Sequence, residues 1–141
     1  VAGKILLEVV TPEKLLLSQQ VDEVIAPGSE GEFGVLPGHC HFLSTLRIGE
    51  LRYRVGERTL HMAVLWGYAE VTPDRVTIMA EIAEKAEDID VGRAQAAVES
   101  AERRLKAGGL PSELKEAEIS LEKSRLRKKL AERHQNRPSH A

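Results

Sequence analysis

The chain has 141 residues, a net charge of −2, and a composition of 42% apolar, 30% charged and 4% aromatic residues. Such a balance excludes a disordered chain, suits one domain or a small domain with an appendage, and leaves Leu, Ile, Val and Ala to build the core. No apolar run approaches the ~20 residues of a membrane-spanning helix, the first ten residues lack the pattern of a secretory signal, and the single cysteine, Cys40, excludes an internal disulfide or a cysteine-rich zinc site. Cys40 reads as a small buried hydrophobe in a protein of a reducing compartment.

Up to residue 80 the pattern is strand-like. Residues 4–10, 21–26, 41–48, 51–55, 60–66, 68–72 and 76–80 are short runs rich in β-branched and aliphatic side chains. Turn chemistry separates them, at Thr11-Pro12, Pro27-Gly28, Pro37-Gly38, Gly49, Gly56, Gly67 and Thr72-Pro73-Asp74. Leu51, Tyr53 and Val55 alternate with Arg52 and Arg54, as in a strand with one buried and one wet face. With no helix-length segment between strands, an antiparallel sandwich is expected rather than a parallel α/β sheet.

Near residue 86 the period changes. Val91, Val98 and Leu105 are spaced by seven, with Ala94 and Ala101 three residues after the first two. Asp88 is placed to cap this helix and Gly108 to end it in a left-handed conformation. Pro111-Ser112 opens a second helix in which Leu114, Ala117, Leu121 and Ser124 form the stripe. So short a connection makes the helices antiparallel neighbours. The expected architecture is mainly β plus α: an N-terminal antiparallel β-sandwich over residues 1–86, then a C-terminal antiparallel two-helix hairpin over 87–134, with a flexible tail at 135–141.

The hairpin stripe relies on Ala and Ser. Burial is worth about 0.8 kcal/mol per CH₂, so this seam holds the helices weakly compared with one built of Leu. Two outcomes fit: a permanent accessory, or an element with two docking states. Charge is also unequal, with 9 Lys/Arg against 16 Asp/Glu in residues 1–100 and 11 against 6 thereafter. The run from Lys123 through Arg125, Arg127, Lys128 and Lys129 holds five cations and no anion. It suits a solvated face or an acidic protein partner. Nucleic acid is disfavoured, because no aromatics interleave with the cations.

Residues 28–39, Gly-Ser-Glu-Gly-Glu-Phe-Gly-Val-Leu-Pro-Gly-His, form the densest motif. Its spacing is that of neither a dinucleotide loop nor a Walker loop, which leaves a tight β connection or an exposed docking loop. His39, Cys40 and His41 lack the further ligands a metal needs. The carboxylate pairs Glu30/Glu32 and Glu87/Asp88/Asp90 sit in turn or helix-start settings, where solvation and capping account for them. No catalytic constellation is present, so the chain reads as a non-enzyme.

Three segments together resemble the epsilon subunit of bacterial F-type ATP synthase: residues 28–39, the stretch Trp66-Gly67-Tyr68-Ala69-Glu70-Val71, and residues 83–94. In the second, Trp66 stands where the family has the first of two glycines. The resemblance implies a ten-stranded sandwich with a two-helix hairpin, in a non-catalytic central-stalk subunit that couples gamma to the c-ring. Glu32 and His39 would face the ring's loops. The hairpin would have a contracted and an extended state, and when extended would restrain ATP hydrolysis at the alpha/beta subunits. Lys123, Arg125, Arg127, Lys128 and Lys129 would then meet the acidic segment of the beta subunit. The site would be peripheral, at the cytoplasmic face of the bacterial inner membrane.

Some members bind ATP, which would make it a regulatory ligand here, with no cofactor required. By motif match Glu84, Asp90, Arg93, Lys123 and Arg127 would be its ligands. Lys123 replaces the arginine usual in ATP-binding members, which keeps the charge but loses the bidentate fork. The alternative for Asp90 and Arg93 is a helix-start ion pair. The alternative for the whole chain is a β-sandwich adaptor whose basic hairpin binds another acidic protein.

Overall fold

The computed structural model describes residues 3–39 and 41–135. Cys40 and residues 136–141, most of the expected tail, lie outside the described residues. The described chain divides into two units, Val1–Glu84 and Lys85–Ala141.

Among the described residues, the first unit is built from eight strands. In β1 (Ile5–Val10), Ile5, Leu7 and Val9 are buried and the intervening residues are half-exposed, the period of two expected of a strand with one core face. β1 pairs antiparallel with β2 (Leu15–Val21) and, on its other side, parallel with β8 (Arg75–Lys85), Leu7 lying opposite Val76. That parallel pair departs from a purely antiparallel sheet. The first and last strands are far apart in sequence, so no hairpin constrains their direction.

β3 (Glu23–Gly28) lies between β4 (Gly31–Val35) and β6 (Gly49–Val55). β6 forms a hairpin with the first half of β7 (Arg58–Thr72), while the second half of β7 pairs with β5 (Phe42–Leu46). β8 completes the sheet beside β7. Residues 60–66 and 68–72, expected as separate strands, are thus one strand that changes partners at Trp66-Gly67. Both residues there have positive φ, 57° and 140°. A Cβ on Gly67 would collide with the Met79 carbonyl oxygen, so only glycine lets β7 pass β8 so closely. Trp66 occupies the left-handed region that costs an L-residue about 1–2 kcal/mol.

Two strands, β2 and β4, were not expected. β2 ends the sheet path and runs Ser18-Gln19-Gln20 over its second half, and β4 carries two glycines at the opposite end of the path. Edge strands need not show a full apolar alternation. The core gathers side chains from across the sheet, with Ile5, Leu7, Leu51, Met62, Val64 and Ile78 all fully buried.

In the second unit, a short 3₁₀ turn at Ala86–Asp88 precedes α1 (Val91–Ala107). The cap of α1 is Asp90, not Asp88. Its carboxylate accepts from the Arg93 backbone N–H at 3.0 Å, while Asp88 closes the 3₁₀ turn. Gly108 ends α1 as expected, but at φ 75° and ψ −163° rather than in the left-handed helical conformation, a pairing open to glycine because it has no Cβ. α2 (Pro111–Gln135) starts with Pro at its first position, and the Glu113 carboxylate accepts from the Leu110 N–H at 2.8 Å, one half of a capping box. Gln135, expected in the tail, is the last residue of α2.

The helices pack side by side around Val98, Ala101 and Leu121, with Leu105 at the margin. Ser124 is buried in the seam and donates to the Ser120 carbonyl at 2.8 Å, which satisfies its hydroxyl within its own helix. α2 has 25 residues against 17 for α1 and packs against the 86–88 turn as well, as its extra length allows.

Candidate functional site

At one edge of the β unit, Glu32 sits on β4 rather than in a loop. Its carboxylate is held at both oxygens by the Arg52 guanidinium, Nη1 to Oε2 and Nη2 to Oε1, each at 3.1 Å. The strand register explains the reach. Glu32 pairs with Pro27 and Arg52 pairs with Ile25, both on β3, so the ion pair spans β3 from one side to the other. Arg52 Nη1 also donates to Glu50 Oε1 at 3.1 Å. Glu50 is 8% exposed, and its other oxygen lies 2.6 Å from His61 Nδ1. His61 is the register partner of Arg52 across the β6–β7 hairpin.

Four polar side chains therefore run in line over β4, β6 and β7, from the exposed Glu32 inward to the buried Glu50. The Glu32 hydrogen bonds raise the Arg52 pKa further above its ordinary value, against the opposing effect of burial, with Glu50 contributing in the same direction as Glu32.

His39 lies in the connection after β4. Its ring packs edge-on to Phe42, with centroids 6.3 Å apart, and Phe42 in turn meets Phe33 edge-on at 5.0 Å. Glu30, Glu32, Phe33, Phe42 and Leu43 line one shallow depression of the surface. Phe42 and Leu43 are exposed, so acidic and apolar groups share this edge. Glu32 and His39 are both associated with this edge, Glu32 through the depression and His39 through its ring contact with Phe42. The Arg52–Glu50–His61 support was not read from the sequence, where Arg52 appeared as one residue of a wet strand face. The signal was the hairpin: a turn at Gly56-Glu57 places His61 opposite Arg52, and Glu50 shares the Arg52 face two residues away.

The remaining candidate residues divide between the units. Glu84 is on β8, half-buried, within the first unit, and Asp90, Arg93, Lys123 and Arg127 belong to the second. Asp90 is engaged as the α1 cap, and the contact between residues 90 and 93 runs through the Arg93 backbone rather than its guanidinium. Lys123 and Arg127 are four residues apart on α2, on one face, and both are half-buried. Arg125 and Lys129 form a second, exposed pair on a different face, and Arg125 Nη2 lies 3.5 Å from Glu102 of α1. Lys128 is half-buried between these two pairs. The cation run thus resolves into two stripes that can meet two different anionic groups.

Among the described residues no three His, Cys, Asp or Glu side chains are grouped to hold a metal ion. No helix is long and apolar enough to cross a membrane.

The β unit matches the family model of the ATP synthase delta/epsilon chain β-sandwich domain over residues 4–86. The helices match that of the delta/epsilon chain long α-helix domain over residues 87–132. The ATP synthase epsilon chain of Syntrophobacter fumaroxidans is 55% identical over 94% of this chain and 98% of its own length. That of Geobacter metallireducens is 48% identical over 92% and 95%. Among solved structures, a chain of the Euglena gracilis mitochondrial ATP synthase (the OSCP/F1/c-ring assembly) superposes with a TM-score of 0.78 at 25% identity, over 89% of this chain and 79% of that one. A chain of the Tetrahymena thermophila enzyme's central stalk and c-ring shares the fold at a TM-score of 0.64 and 14% identity. With both domains matched and relatives alike along nearly their whole length, this chain belongs to the epsilon chain family of ATP synthase, non-catalytic subunits of that complex.

Proposed function

We propose that this chain is a rotor subunit of the proton-translocating F-type ATP synthase. Its β unit joins gamma to the c-ring, and its helical hairpin restrains ATP hydrolysis. The observation that carries this is the match of both domains to epsilon chains along nearly their full length. The β unit suits the coupling role. A close-packed sheet with its polar relay satisfied passes torque on without repacking. Glu32 and His39 are the residues we assign to the c-ring loops. The complex holds the chain at the cytoplasmic face of the bacterial inner membrane.

The hairpin suits a movable element. Its own seam rests on Val98, Ala101 and Leu121. Lys123, Arg125, Arg127, Lys128 and Lys129 offer a cationic surface to the acidic segment of the beta subunit, and complementary charge speeds and orients such docking. Reconstituting the alpha, beta and gamma subunits with the full chain, and with a chain ending at Asp88, tests the assignment. Both forms should bind gamma, and only the full chain should slow hydrolysis. Equal hydrolysis with and without the full chain, or failure to bind gamma, overturns it.

A second reading is that ATP selects one hairpin state, favoured by the Lys123/Arg127 pair sharing a helix face. Glu84, Asp90, Arg93, Lys123 and Arg127 are the ligands in this reading. ATP is then a regulatory ligand, not a cofactor. Saturation at 100 times the dissociation constant stabilises the bound state by about 2.7 kcal/mol, enough to reset a near-balanced equilibrium. Calorimetry of the full chain should show binding that Arg93→Ala and Arg127→Ala weaken. Absence of heat at millimolar ATP overturns it.

A further inference from the structure

We infer that Arg52, backed by Glu50 and His61, is a positioning residue that fixes the Glu32 carboxylate in the orientation in which it meets the c-ring loops. This rests on the assignment of Glu32 to the ring. β4 ends the sheet path and is paired on one side by β3. A glutamate on such an edge would ordinarily sample several rotamers. Here both of its oxygens are held in a two-point fork, and the guanidinium that holds them is itself fixed.

The support comes from within the sheet. Arg52 Nη1 is shared between Glu32 Oε2 and Glu50 Oε1, each at 3.1 Å. Glu50 is buried and its second oxygen is engaged by His61 at 2.6 Å. Exposure falls along the line, from 45% at the Glu32 side chain through 28% at Arg52 to 8% at Glu50. The anchor is thus the dry end and the presented group the wet end.

The arrangement also sets what Glu32 can recognise. Both of its oxygens are held from the Arg52 side, so it meets a partner through their outward lone pairs as an oriented acceptor for amide or hydroxyl donors, the groups a polar loop offers. A bare carboxylate would instead select a partner cation. Ordering the acceptor beforehand removes the cost of ordering it on docking.

The test has two arms. In the first, nitrogen NMR of the arginine-labelled full chain reads Arg52 directly. Slowed rotation and slow exchange of its Nη protons are expected in the native chain and, because Glu50 still holds Nη1, should persist in part in Glu32→Gln. An unrestrained Arg52 in the native chain overturns the inference without touching the assignment of Glu32 to the ring.

In the second arm, the full chain assembled with gamma is bound to purified c-ring. Arg52→Met and Glu32→Gln should each weaken binding by about fivefold, and the double variant should lose no more than either alone. Arg52→Lys should recover only part of the loss, since an ammonium lacks the fork. If Glu32→Gln weakens binding and Arg52→Met does not, Glu32 acts unaided and the inference falls. If Glu32→Gln binds like the native chain, the ring assignment falls and takes the inference with it. Should Arg52→Met fail to fold, Arg52→Lys carries the same comparison.

Discussion

The β unit closes around Ile5, Leu7, Leu51, Met62 and Ile78, all fully buried and drawn from strands distant in sequence. The helical hairpin closes around Val98, Ala101 and Leu121, with Leu105 half-exposed beside them. A sheet of this kind has many independent ways to hold its shape, whereas the hairpin has few, so single substitutions should act differently in the two units. A sheet with many buried contacts and a hairpin with a thin seam of its own suit the rotor role and the movable regulator proposed above.

The largest effect belongs to the sheet. Gly67→Ala places a methyl group against the Met79 backbone carbonyl and forces an L-residue to φ 140°. Strain and collision together should cost more than about 3 kcal/mol. β7 can no longer switch from β6 to β5, and the β unit should lose its cooperative melting transition by circular dichroism. A midpoint within a few degrees of the native chain would show that β7 and β8 can separate there without loss.

The hairpin is broken at a smaller cost. Leu121→Ala removes the largest side chain of the cluster with Val98 and Ala101 and should cost about 2–3 kcal/mol, at the lower end for a core leucine because this one is 9% exposed. For the hairpin that is a large share of what holds it, so amide exchange should speed up through Val91–Ala107 and Pro111–Gln135. The amides of β1 and β8 should keep their native protection. Parallel loss of protection in both units would mean that they unfold as one.

The same contrast governed how much could be read from the sequence. The hairpin was legible because its signals are local: Val98, Ala101 and Leu121 follow a helical period, and Gly108 and Pro111 mark its corner. The cap was displaced from Asp88 to Asp90, because the chain first makes a 3₁₀ turn before α1, and α2 ran one residue further, to Gln135. In the sheet, strands with strong alternation such as β1 and β6 were legible, and β2 and β4 at the ends of the sheet path were not. The join of residues 60–66 to 68–72 was hidden by Gly67, which reads as a turn but serves a close crossing of strands. Glu32 and His39 could be singled out by their motif. The Arg52–Glu50–His61 support could not, since it depends on register between strands rather than on any run of residues.

Asp90 allows a finer cut within the hairpin. Asp90→Ala removes the N-cap of α1 and should cost about 1 kcal/mol, seen as faster exchange in the first turn of α1. Asp90→Asn keeps a capping oxygen and should restore most of that stability. If Asp90 also serves a nucleotide, the two variants will separate: calorimetry would find the Asn form stable yet altered in ATP affinity. If both bind ATP as the native chain does, capping is the whole of its role.

The smallest effect returns to the β unit and depends on pH. Asp22 follows β2, where its carboxylate accepts from Lys4 Nζ and from the Gly56 N–H, each at 2.7 Å. The Lys4 hydrogen bond, with that of Gly56, holds its pKa below the ordinary 3.8. A carboxyl with a lowered native pKa adds stability that is complete above the unfolded value and is lost as pH falls through the native one. The melting midpoint should therefore fall as the pH drops through the ordinary 3.8 and below it, and Asp22→Asn should flatten part of that slope while lowering the midpoint slightly at neutral pH. The contribution is modest because the Lys4 partner is half-exposed, and added salt should shrink it further. Asp22 joins the β2–β3 corner to the β6–β7 turn, so any loss should appear first as faster exchange at the Gly56 amide. An acid slope unchanged by Asp22→Asn would assign it to groups other than Asp22.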